Sequence, residues 1–296
     1  MDLKKYLGEK KKLVEESMEA LMYAPRGLQE DHARHIEAMG YSLFAGGKRI
    51  RPILCLAACS AVGGVEDNAI PAAVSLECIH TYSLIHDDLP AMDDDDLRRG
   101  KPTNHTIYGE AGAILAGDGL LTLAFELLAR NSKLEAAEQL QIIRLIAEGS
   151  GSMGMVGGQA IDIACEGKKI DFETLKQIHR RKTGALLTAA VQAGAVVGGA
   201  SEAQFQALTD YGNEIGLAFQ IVDDLLNVEG TTEELGKAAG SDAERQKSTY
   251  PAFFGIEETR RKAEEAVARA LASLETFDRK AEPLREIAHY IRKRKN

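Results

Sequence analysis

The sequence predicts an all-α fold in a single domain, and three observations point to it. Alanine, leucine, glutamate and lysine are plentiful, which favours helices over strands. Apolar residues recur at three- and four-residue steps through much of the chain. No linker rich in proline, glycine or serine and no low-complexity tract divides the 296 residues, so we expect one domain over residues 1–296.

Composition and charge exclude several classes of protein. The 36 lysines and arginines are outnumbered by 45 aspartates and glutamates, which gives a net charge of −9. A nucleic-acid-binding protein needs a basic face to neutralise phosphates, so we expect no nucleic-acid partner. The four cysteines form no CxxC pair and lie in apolar stretches, which indicates a reducing compartment and no structural zinc.

No stretch of the chain predicts a stable membrane anchor. The first 22 residues never gather the apolar core of a signal peptide, and the spacing of their apolar residues fits an amphipathic helix. The most membrane-like stretch, residues 184–200, is short for a span and is interrupted by Gln192. We therefore predict a cytoplasmic protein in which this stretch forms a buried helix.

A glycine turn near residue 46 gathers basic residues after the second predicted helix. Gly46 and Gly47 supply the backbone freedom that brings together Lys48, Arg49 and Arg51. Three cations at such a turn can form a phosphate clamp. They can equally be a helix end whose basic residues answer the helix dipole. The residues alone leave both interpretations open.

The most concentrated charge follows a buried helix predicted for residues 71–86. Six aspartates lie within the ten residues from Asp87 to Asp96, and Arg98 and Arg99 follow at once. So much like charge is costly unless a cation lies among it. Carboxylates without thiolates suit Mg²⁺, which shares its coordination shell with substrate phosphates. The run therefore predicts Mg²⁺ with a polyphosphate, and a solvated acidic loop or a weak calcium site is the alternative.

Other polar residues are candidates for the same cavity. His80 precedes Asp87 by seven residues, so the two lie on one face of the predicted helix. Gln159 and Asp162 belong to a glycine-dense stretch whose small residues predict close helix packing. Lys182 is the basic residue nearest the apolar stretch that follows it, and we expect it to reach inside.

A second acidic constellation lies on a predicted helix near residue 220. Polar residues recur there at three- and four-residue steps and form one stripe on an apolar helix: Gly216, Gln220, Asp223, Asp224 and Asn227. Adjacent acids that face a core need a metal or a basic partner. Residues 231–251 are the longest loop-like stretch and can act as a lid. The basic residues that end the chain are expected to be solvated.

These motifs, in this order, resemble the trans-isoprenyl diphosphate synthases. The shared segments are GGKRIRP, HDDLPAMDDDDLRRGKPTNH, GMVGGQ, KT, FQIVDD and KSTYP, and the similarity runs from about residue 40 to residue 251. Within that family the short-chain bacterial farnesyl diphosphate synthase type is the most similar. The resemblance implies a single all-α domain whose helices surround a deep central cavity, generally as a homodimer.

The resemblance also implies a role for each charged cluster. Five aspartates match the two aspartate-rich motifs and imply Mg²⁺ ligands: Asp87, Asp88, Asp93, Asp223 and Asp224. The implied catalytic set is Asp87, Asp88, Asp93, Asp223 and Lys182. Contacts to an allylic diphosphate are implied for Arg98, Lys182, Thr183, Gln220 and Lys237. The implied isopentenyl diphosphate pocket contains Lys48, Arg51, His80 and Arg99. Asn227 stands where the family has aspartate, and it is a weaker, neutral ligand.

By this resemblance the protein is a Mg²⁺-dependent (2E,6E)-farnesyl diphosphate synthase. It would join isopentenyl diphosphate to dimethylallyl diphosphate and geranyl diphosphate through an allylic carbocation. The alternatives are a geranylgeranyl diphosphate synthase, a non-catalytic subunit of a prenyl synthase and a terpene cyclase. A cyclase has no use for an isopentenyl diphosphate pocket, and a calcium-binding module would need a DxDxDG loop that the sequence lacks.

Tyr82 and Ser83 are the candidates for control of product length. Tyr82 lies five residues before Asp87, which places it about 7.5 Å deeper along the helix axis. A buried aromatic residue is usually only part of the core. Family members that make the fifteen-carbon product resemble this chain in having an aromatic residue there, so we expect Tyr82 to be the floor of the cavity. Ser83 is too small to serve.

Overall fold

Helices form nearly all the regular structure of residues 1–22, 32–229 and 248–294, which the computed structural model describes. Their bounds in chain order are α1 (Leu3–Met22), α2 (Ala33–Leu43), α3 (Ile50–Ala61), α4 (Glu66–Asp87), α5 (Asn104–Ala129), α6 (Ala136–Ser150), α7 (Met155–Cys165), α8 (Phe172–His179), α9 (Ala185–Val197), α10 (Glu202–Glu229), α11 (Tyr250–Phe254), α12 (Ile256–Ala272) and α13 (Glu282–Lys293). A π-helical turn spans Arg180–Gly184, and a 3-10 turn spans Arg279–Ala281. The two-residue strands β1 (Leu97–Arg98) and β2 (Lys101–Pro102) pair antiparallel. The all-α prediction is confirmed.

The centre of the fold is formed by α3, α4 and α9, which pack against one another, and by α10, which packs against α9. Eleven residues of α9 are buried, which confirms the buried helix predicted for the stretch that begins at residue 184. Gly194 lies so close to α3 that an added Cβ would stand 2.0 Å from the carbonyl oxygen of Cys55. The small residues of α9 therefore serve close helix packing.

Helix α4 carries the first acidic motif to the edge of this core. Glu66 and Asp67 occupy its first turn, where negative charge interacts favourably with the helix dipole. The helix is buried along most of its length and ends at Asp87. The chain then folds back, because the amide of Asp93 donates to the carbonyl oxygen of Asp87 at 2.8 Å. The acidic run is thus a tight loop on a helix end.

Among the described helices, α5 alone is long and apolar enough to cross a membrane, a test that core helices of soluble proteins also pass. Its most apolar window is 44% buried. Exposed apolar side chains on this helix include Ile107, Ile114 and Leu115. Gly109 adopts φ 75° and kinks the helix near its start. Helix α5 therefore presents an apolar face that the other described residues do not cover.

The C-terminal helices close the bundle against α10. The hydroxyl of Tyr211 on α10 donates to the carbonyl oxygen of Leu284 on α13 at 2.7 Å. Arg294, just past α13, is 9% exposed and donates to the carbonyl oxygen of Phe219 at 2.9 Å. The prediction that the terminal basic residues are solvated is therefore wrong for Arg294. The apolar face of amphipathic α13 packs against α10, and this packing buries Arg294 at the end of the helix.

The predicted lid falls mostly outside the described residues. Residues 230–247 are not described, and they include Lys237, so its predicted contact with the allylic substrate stays a prediction.

Candidate active site

The two acids of the first motif have different partners. Asp88 is 3% exposed, and Arg98 Nε lies 2.7 Å from its Oδ1 and 2.9 Å from its Oδ2. Arg98 Nη2 also lies 2.5 Å from Asp88 Oδ1. Such a charge-assisted, forked contact is among the stronger side-chain interactions. Asp88 therefore anchors Arg98 and the loop between them.

No cation from the described part of the chain contacts the carboxylate of Asp87 in this way. Gln159 Nε2 donates to its Oδ1 at 2.8 Å. Burial raises the pKa of Asp87 to about 6; the charge of Lys182 opposes this rise, and that of Asp93 adds to it. A desolvated carboxylate beside a second acid is a site that favours a bound cation. Gln159, which the sequence marked as a candidate cavity residue, thus lies beside this acid.

Lys182 reaches the same region from the π-helical turn. Its Nζ lies 2.6 Å from Asp162 Oδ2. Burial lowers the pKa of Lys182, but Asp162, Asp87 and further acids outweigh it, so the pKa is raised and the ammonium stays charged. Gly158 allows α7 to lie close to this turn, because an added Cβ would stand 2.1 Å from the backbone nitrogen of Lys182. Thr183 follows directly and is half-buried.

In the second motif, Asp224 is bound by its own chain. It is 7% exposed, its Oδ2 accepts the amide hydrogen of Tyr250 at 2.8 Å, and its Oδ1 lies 3.7 Å from His179 Nε2. The rings of His179 and Tyr250 stack at 5.5 Å. Successive helical residues point about 100° apart, so Asp224 and Asp223 face different neighbours. This placement does not favour the metal-binding role predicted for Asp224.

Asp223 is the open acid of the pair. Its side chain is 44% exposed, and Gln220 Nε2 donates to its Oδ2 at 3.3 Å. Arg294 Nη2 donates to its Oδ1. The guanidinium of Arg294 also lies over the Phe219 ring, with Cζ 3.8 Å from the centroid. Apart from its charge, no sequence pattern marks Arg294 as a site residue, because its contact with Asp223 spans 71 residues. One turn further, Asn227 is buried at 5% exposure.

The predicted isopentenyl diphosphate residues form a cationic cluster. The Nε atom of Arg51 is buried and has no hydrogen-bond partner within the described ranges. The guanidinium of Arg99 lies against Gly47, and its Nη1 donates to the carbonyl oxygen of Gly46. Burial, and then the charges of Arg51 and Arg99, hold the pKa of His80 well below its usual range. His80 is therefore neutral at neutral pH.

This cluster faces the second acidic motif. Partial burial and then Arg294 lower the pKa of Lys48, whereas Asp223 raises it. Burial lowers the pKa of Arg51, while Glu77 and Asp223 oppose that shift. Asp223 therefore lies within electrostatic range of both cations, and the structure brings these distant parts of the sequence together.

Arg49 does not join the other cations of the glycine turn. Its side chain is 1% exposed and its Nη1 lies 2.6 Å from Glu77 Oε1. Of the three basic residues that the sequence grouped, only Lys48 and Arg51 are placed for an incoming anion. Sequence reasoning missed Glu77, an acid in the apolar middle of α4.

Tyr82 lies deeper on α4 than the acids. It is 6% exposed, and its ring meets the His86 ring edge-on with centroids 5.7 Å apart. His86 Nε2 lies 3.1 Å from the carbonyl oxygen of Ile114 on α5. The hydroxyl of Ser83 donates to the carbonyl oxygen of His80 at 2.9 Å. Tyr82 is thus a packed aromatic residue, and Ser83 is bonded within its own helix.

The acids fit Mg²⁺ by chemistry, although they are not gathered into a cage. In the described ranges, no three His, Cys, Asp or Glu side chains come together as a ready-made metal site. Mg²⁺ needs only one or two carboxylates when waters and phosphates complete its octahedron. Asp87, Asp93 and Asp223 offer hard oxygens, and the raised pKa of Asp87 marks an uncompensated one.

An all-α fold with two acidic centres and a cluster of cations is typical of enzymes that bind a polyphosphate through a divalent metal. The chain matches the family model "Polyprenyl synthetase" over residues 33–287, and it belongs to that family. It is a trans-prenyltransferase, an enzyme whose family joins isopentenyl diphosphate to allylic diphosphates.

Known relatives differ in their product. A geranylgeranyl diphosphate synthase of Cyanophora paradoxa is 50% identical over 98% of this chain and 96% of its own. A farnesyl diphosphate synthase of Geobacillus stearothermophilus is 48% identical over 86% of each chain. Among solved structures, an FPP/GFPP synthase from Zymomonas mobilis superposes with a TM-score of 0.87 at 37% identity, covering 98% of this chain and 99% of that one.

Proposed function

We propose that the protein is a farnesyl diphosphate synthase that extends dimethylallyl and then geranyl diphosphate with isopentenyl diphosphate. The observation that supports the fifteen-carbon product is Tyr82, which is buried on α4 and braced by His86. A chain growing away from Asp87 along this helix meets the ring about 7.5 Å deeper. An aromatic ring in a packed core is too rigid to yield to one more isoprene unit.

The allylic diphosphate binds between the two acidic motifs. Asp87, Asp93 and Asp223 would hold Mg²⁺, which when bound supplies Lewis-acid stabilisation of the diphosphate leaving group. Lys182, fixed by Asp162, adds a positive charge beside Asp87. Such preorganised charge is worth most where it faces charge that develops in the transition state. Arg98 acts through Asp88, and Thr183 and Gln220 border the same substrate.

Isopentenyl diphosphate binds at the cationic cluster. Lys48, Arg51 and Arg99 neutralise its diphosphate, and the Nε of Arg51, which has no acceptor among the described residues, can donate to an incoming anion. Neutral His80 offers a hydrogen bond without adding charge. The double bond attacks the allylic cation, the new C–C bond forms, and a proton leaves to the released diphosphate. No protein nucleophile is needed.

A geranylgeranyl diphosphate synthase is the second candidate. Relatives that carry that name are 50% identical to this chain, slightly more than the farnesyl diphosphate synthase of Geobacillus stearothermophilus. Both candidates use the same ionisation and condensation, so they differ only in where elongation stops.

Product length separates the two candidates. The purified protein is incubated with Mg²⁺, radiolabelled isopentenyl diphosphate and dimethylallyl diphosphate, and the dephosphorylated products are chromatographed. We expect farnesol from the wild type and a shift to geranylgeraniol or longer from Tyr82→Ala, with total turnover retained. Ser83→Ala is the matched control and should leave the profile unchanged. A twenty-carbon product from the wild type would favour the second candidate.

We also propose that the protein acts as a homodimer through α5. The support is the uncovered apolar face of this helix, where Ile114 is 44% and Leu115 is 58% exposed. Burying such surface against a second copy removes it from water. Light scattering should give twice the mass of 32.0 kDa for the wild type, and Leu115→Glu should give the monomer mass. A wild-type monomer at micromolar concentration would reject the proposal.

A further inference from the structure

Glu77 and Arg49 form a buried ion pair beside the cationic cluster. Each residue is 2% exposed, and Arg49 Nη1 lies 2.6 Å from Glu77 Oε1. Arg49 Nη2 donates to the carbonyl oxygen of Leu43 at 2.8 Å, and its Nε donates to Glu15 Oε1 at 3.3 Å. All three guanidinium nitrogens are therefore engaged by protein acceptors. Buried charge of this kind is costly unless every group is satisfied.

The backbone of Arg49 is unusual. Its φ is 54° and its ψ is 35°, a left-handed conformation directly before α3. Gly46 and Gly47 of the same turn also have positive φ, at 90° and 127°. Glycine adopts such angles without strain, but arginine does so only when its surroundings hold it there. The side-chain contacts of Arg49 supply that restraint, and the turn they fix lies between Lys48 and Arg51.

Glu77 also opposes the charge of neighbouring arginines. It lies on α4, one turn before His80, and its charge raises the pKa of Arg51 and of Arg99 against the larger effect of burial. One buried carboxylate is thus within range of Arg49, Arg51 and Arg99. A second carboxylate that bonds Arg49 is Glu15 of α1, whose side chain is 34% exposed.

We propose that Glu77 and Arg49 are positioning residues for the isopentenyl diphosphate pocket. Glu77 binds Arg49, Arg49 fixes the left-handed turn, and the turn presents Lys48 and Arg51 to the diphosphate. Neither Glu77 nor Arg49 touches the substrate. This inference rests on the proposed function, because it takes the pocket assignment from there.

A positioning role and a purely electrostatic role have opposite consequences. If Glu77 only neutralised positive charge, its removal would strengthen the field on a bound anion and lower the KM for isopentenyl diphosphate. If Glu77 positions the turn, its removal frees Arg49 and disorders two ligands, so the KM rises. The allylic site has other residues, so its KM is unaffected in the second case.

The experiment is steady-state kinetics of Glu77→Gln with each substrate varied in turn. We expect the KM for isopentenyl diphosphate to rise about tenfold, the size of effect expected when one hydrogen-bonded partner is lost. The KM for geranyl diphosphate should stay within about twofold. An unchanged or lower KM for isopentenyl diphosphate overturns the proposal, as does an equal rise in both KM values.

Two further variants keep the test decisive if Glu77→Gln folds poorly. The double variant Arg49→Met with Glu77→Met replaces the buried pair by apolar side chains, an exchange that proteins often tolerate. It should fold and still show the raised KM for isopentenyl diphosphate, and a wild-type KM would reject the positioning role. Glu15→Gln removes only the longer contact and should have a smaller effect.

Lys48→Met and Arg51→Met distinguish this inference from the proposed function. Both should raise the KM for isopentenyl diphosphate, because they remove proposed ligands. If neither changes that KM, the pocket assignment itself fails. If both raise it while the Glu77 variants behave as wild type, the pocket stands and the positioning role is rejected.

Discussion

The two aspartate pairs share one plan and differ in how their charge is balanced. In each pair one acid is bound by the protein, Asp88 by Arg98 and Asp224 by the amide of Tyr250. The other acid of each pair differs in its partner among the described residues: Asp87 accepts from the neutral amide of Gln159, whereas Asp223 accepts from the guanidinium of Arg294. Asp87 is therefore stabilised most by a bound metal, whereas Asp223 must release Arg294 before it can bind one.

Loss of Asp87 should have the largest effect on activity. Asp87→Asn keeps the shape and the contact to Gln159 but removes the charge that would hold Mg²⁺. We expect turnover to fall by about 10³-fold or more, as for other preorganised charges at a reacting centre. Asp88→Asn is the matched control and should cost much less turnover. Equal losses in the two variants, measured with saturating substrates, would contradict the division of roles within the pair.

Asp87→Asn should also make the folded protein more stable. Burial raises the pKa of Asp87 from 3.8 to about 6, so the folded protein holds this proton more tightly than the unfolded chain. Ionised Asp87 therefore lowers the free energy of unfolding. This destabilisation is absent below the pKa of Asp87 in the unfolded chain and complete above its pKa in the folded protein. A pKa difference of about two units changes the free energy of unfolding by at most about 3 kcal/mol, and by less after solvent screening.

We therefore expect Asp87→Asn to raise the free energy of unfolding at neutral pH by about 1–2 kcal/mol in metal-free buffer. The difference from wild type should shrink as the pH falls from about 6 to about 4. Urea titrations across this range measure it. A variant that is less stable at neutral pH would show that Asp87 is already compensated without metal.

The bound acid of the second pair should matter for stability. Asp224→Ala takes the hydrogen-bond acceptor of the Tyr250 amide away in a buried position. Such an orphaned group costs about 1–3 kcal/mol, so we expect a loss of that size. Asp223→Ala, whose side chain is 44% exposed, should cost less stability but more activity. A reversed order would exchange the roles of the two acids.

The smallest predicted effect concerns Arg294. Arg294→Met keeps the apolar contact with Phe219 and removes the cation that competes for Asp223. We expect half-maximal activity at several-fold lower Mg²⁺, on the order of 1 kcal/mol in metal affinity. Lys293→Met is the neighbouring control. A higher Mg²⁺ requirement would mean that Arg294 assists the loaded site instead of competing with the metal.

Local patterns in the sequence determined the helices and the identity of most site residues. Apolar periodicity marked α4, α9 and α10, and paired acids at two helix positions marked the metal side. These features are readable because they depend on neighbours within a few residues. Gly158 belongs to the stretch predicted to pack closely, and it does pack closely against the backbone of Lys182.

Only the tertiary structure decided which of two similar residues faces the site. Adjacent acids are chemically identical in sequence, but Asp88 is bound by Arg98 of β1 and Asp224 is bound by the amide of Tyr250 on α11. Arg49 turns inward to Glu77 from within a run of cations, over a separation of 28 residues. Arg294 returns to Asp223 across 71 residues. Charge and periodicity are local, but the pairing of buried charges depends on packing, which the fold alone brings about.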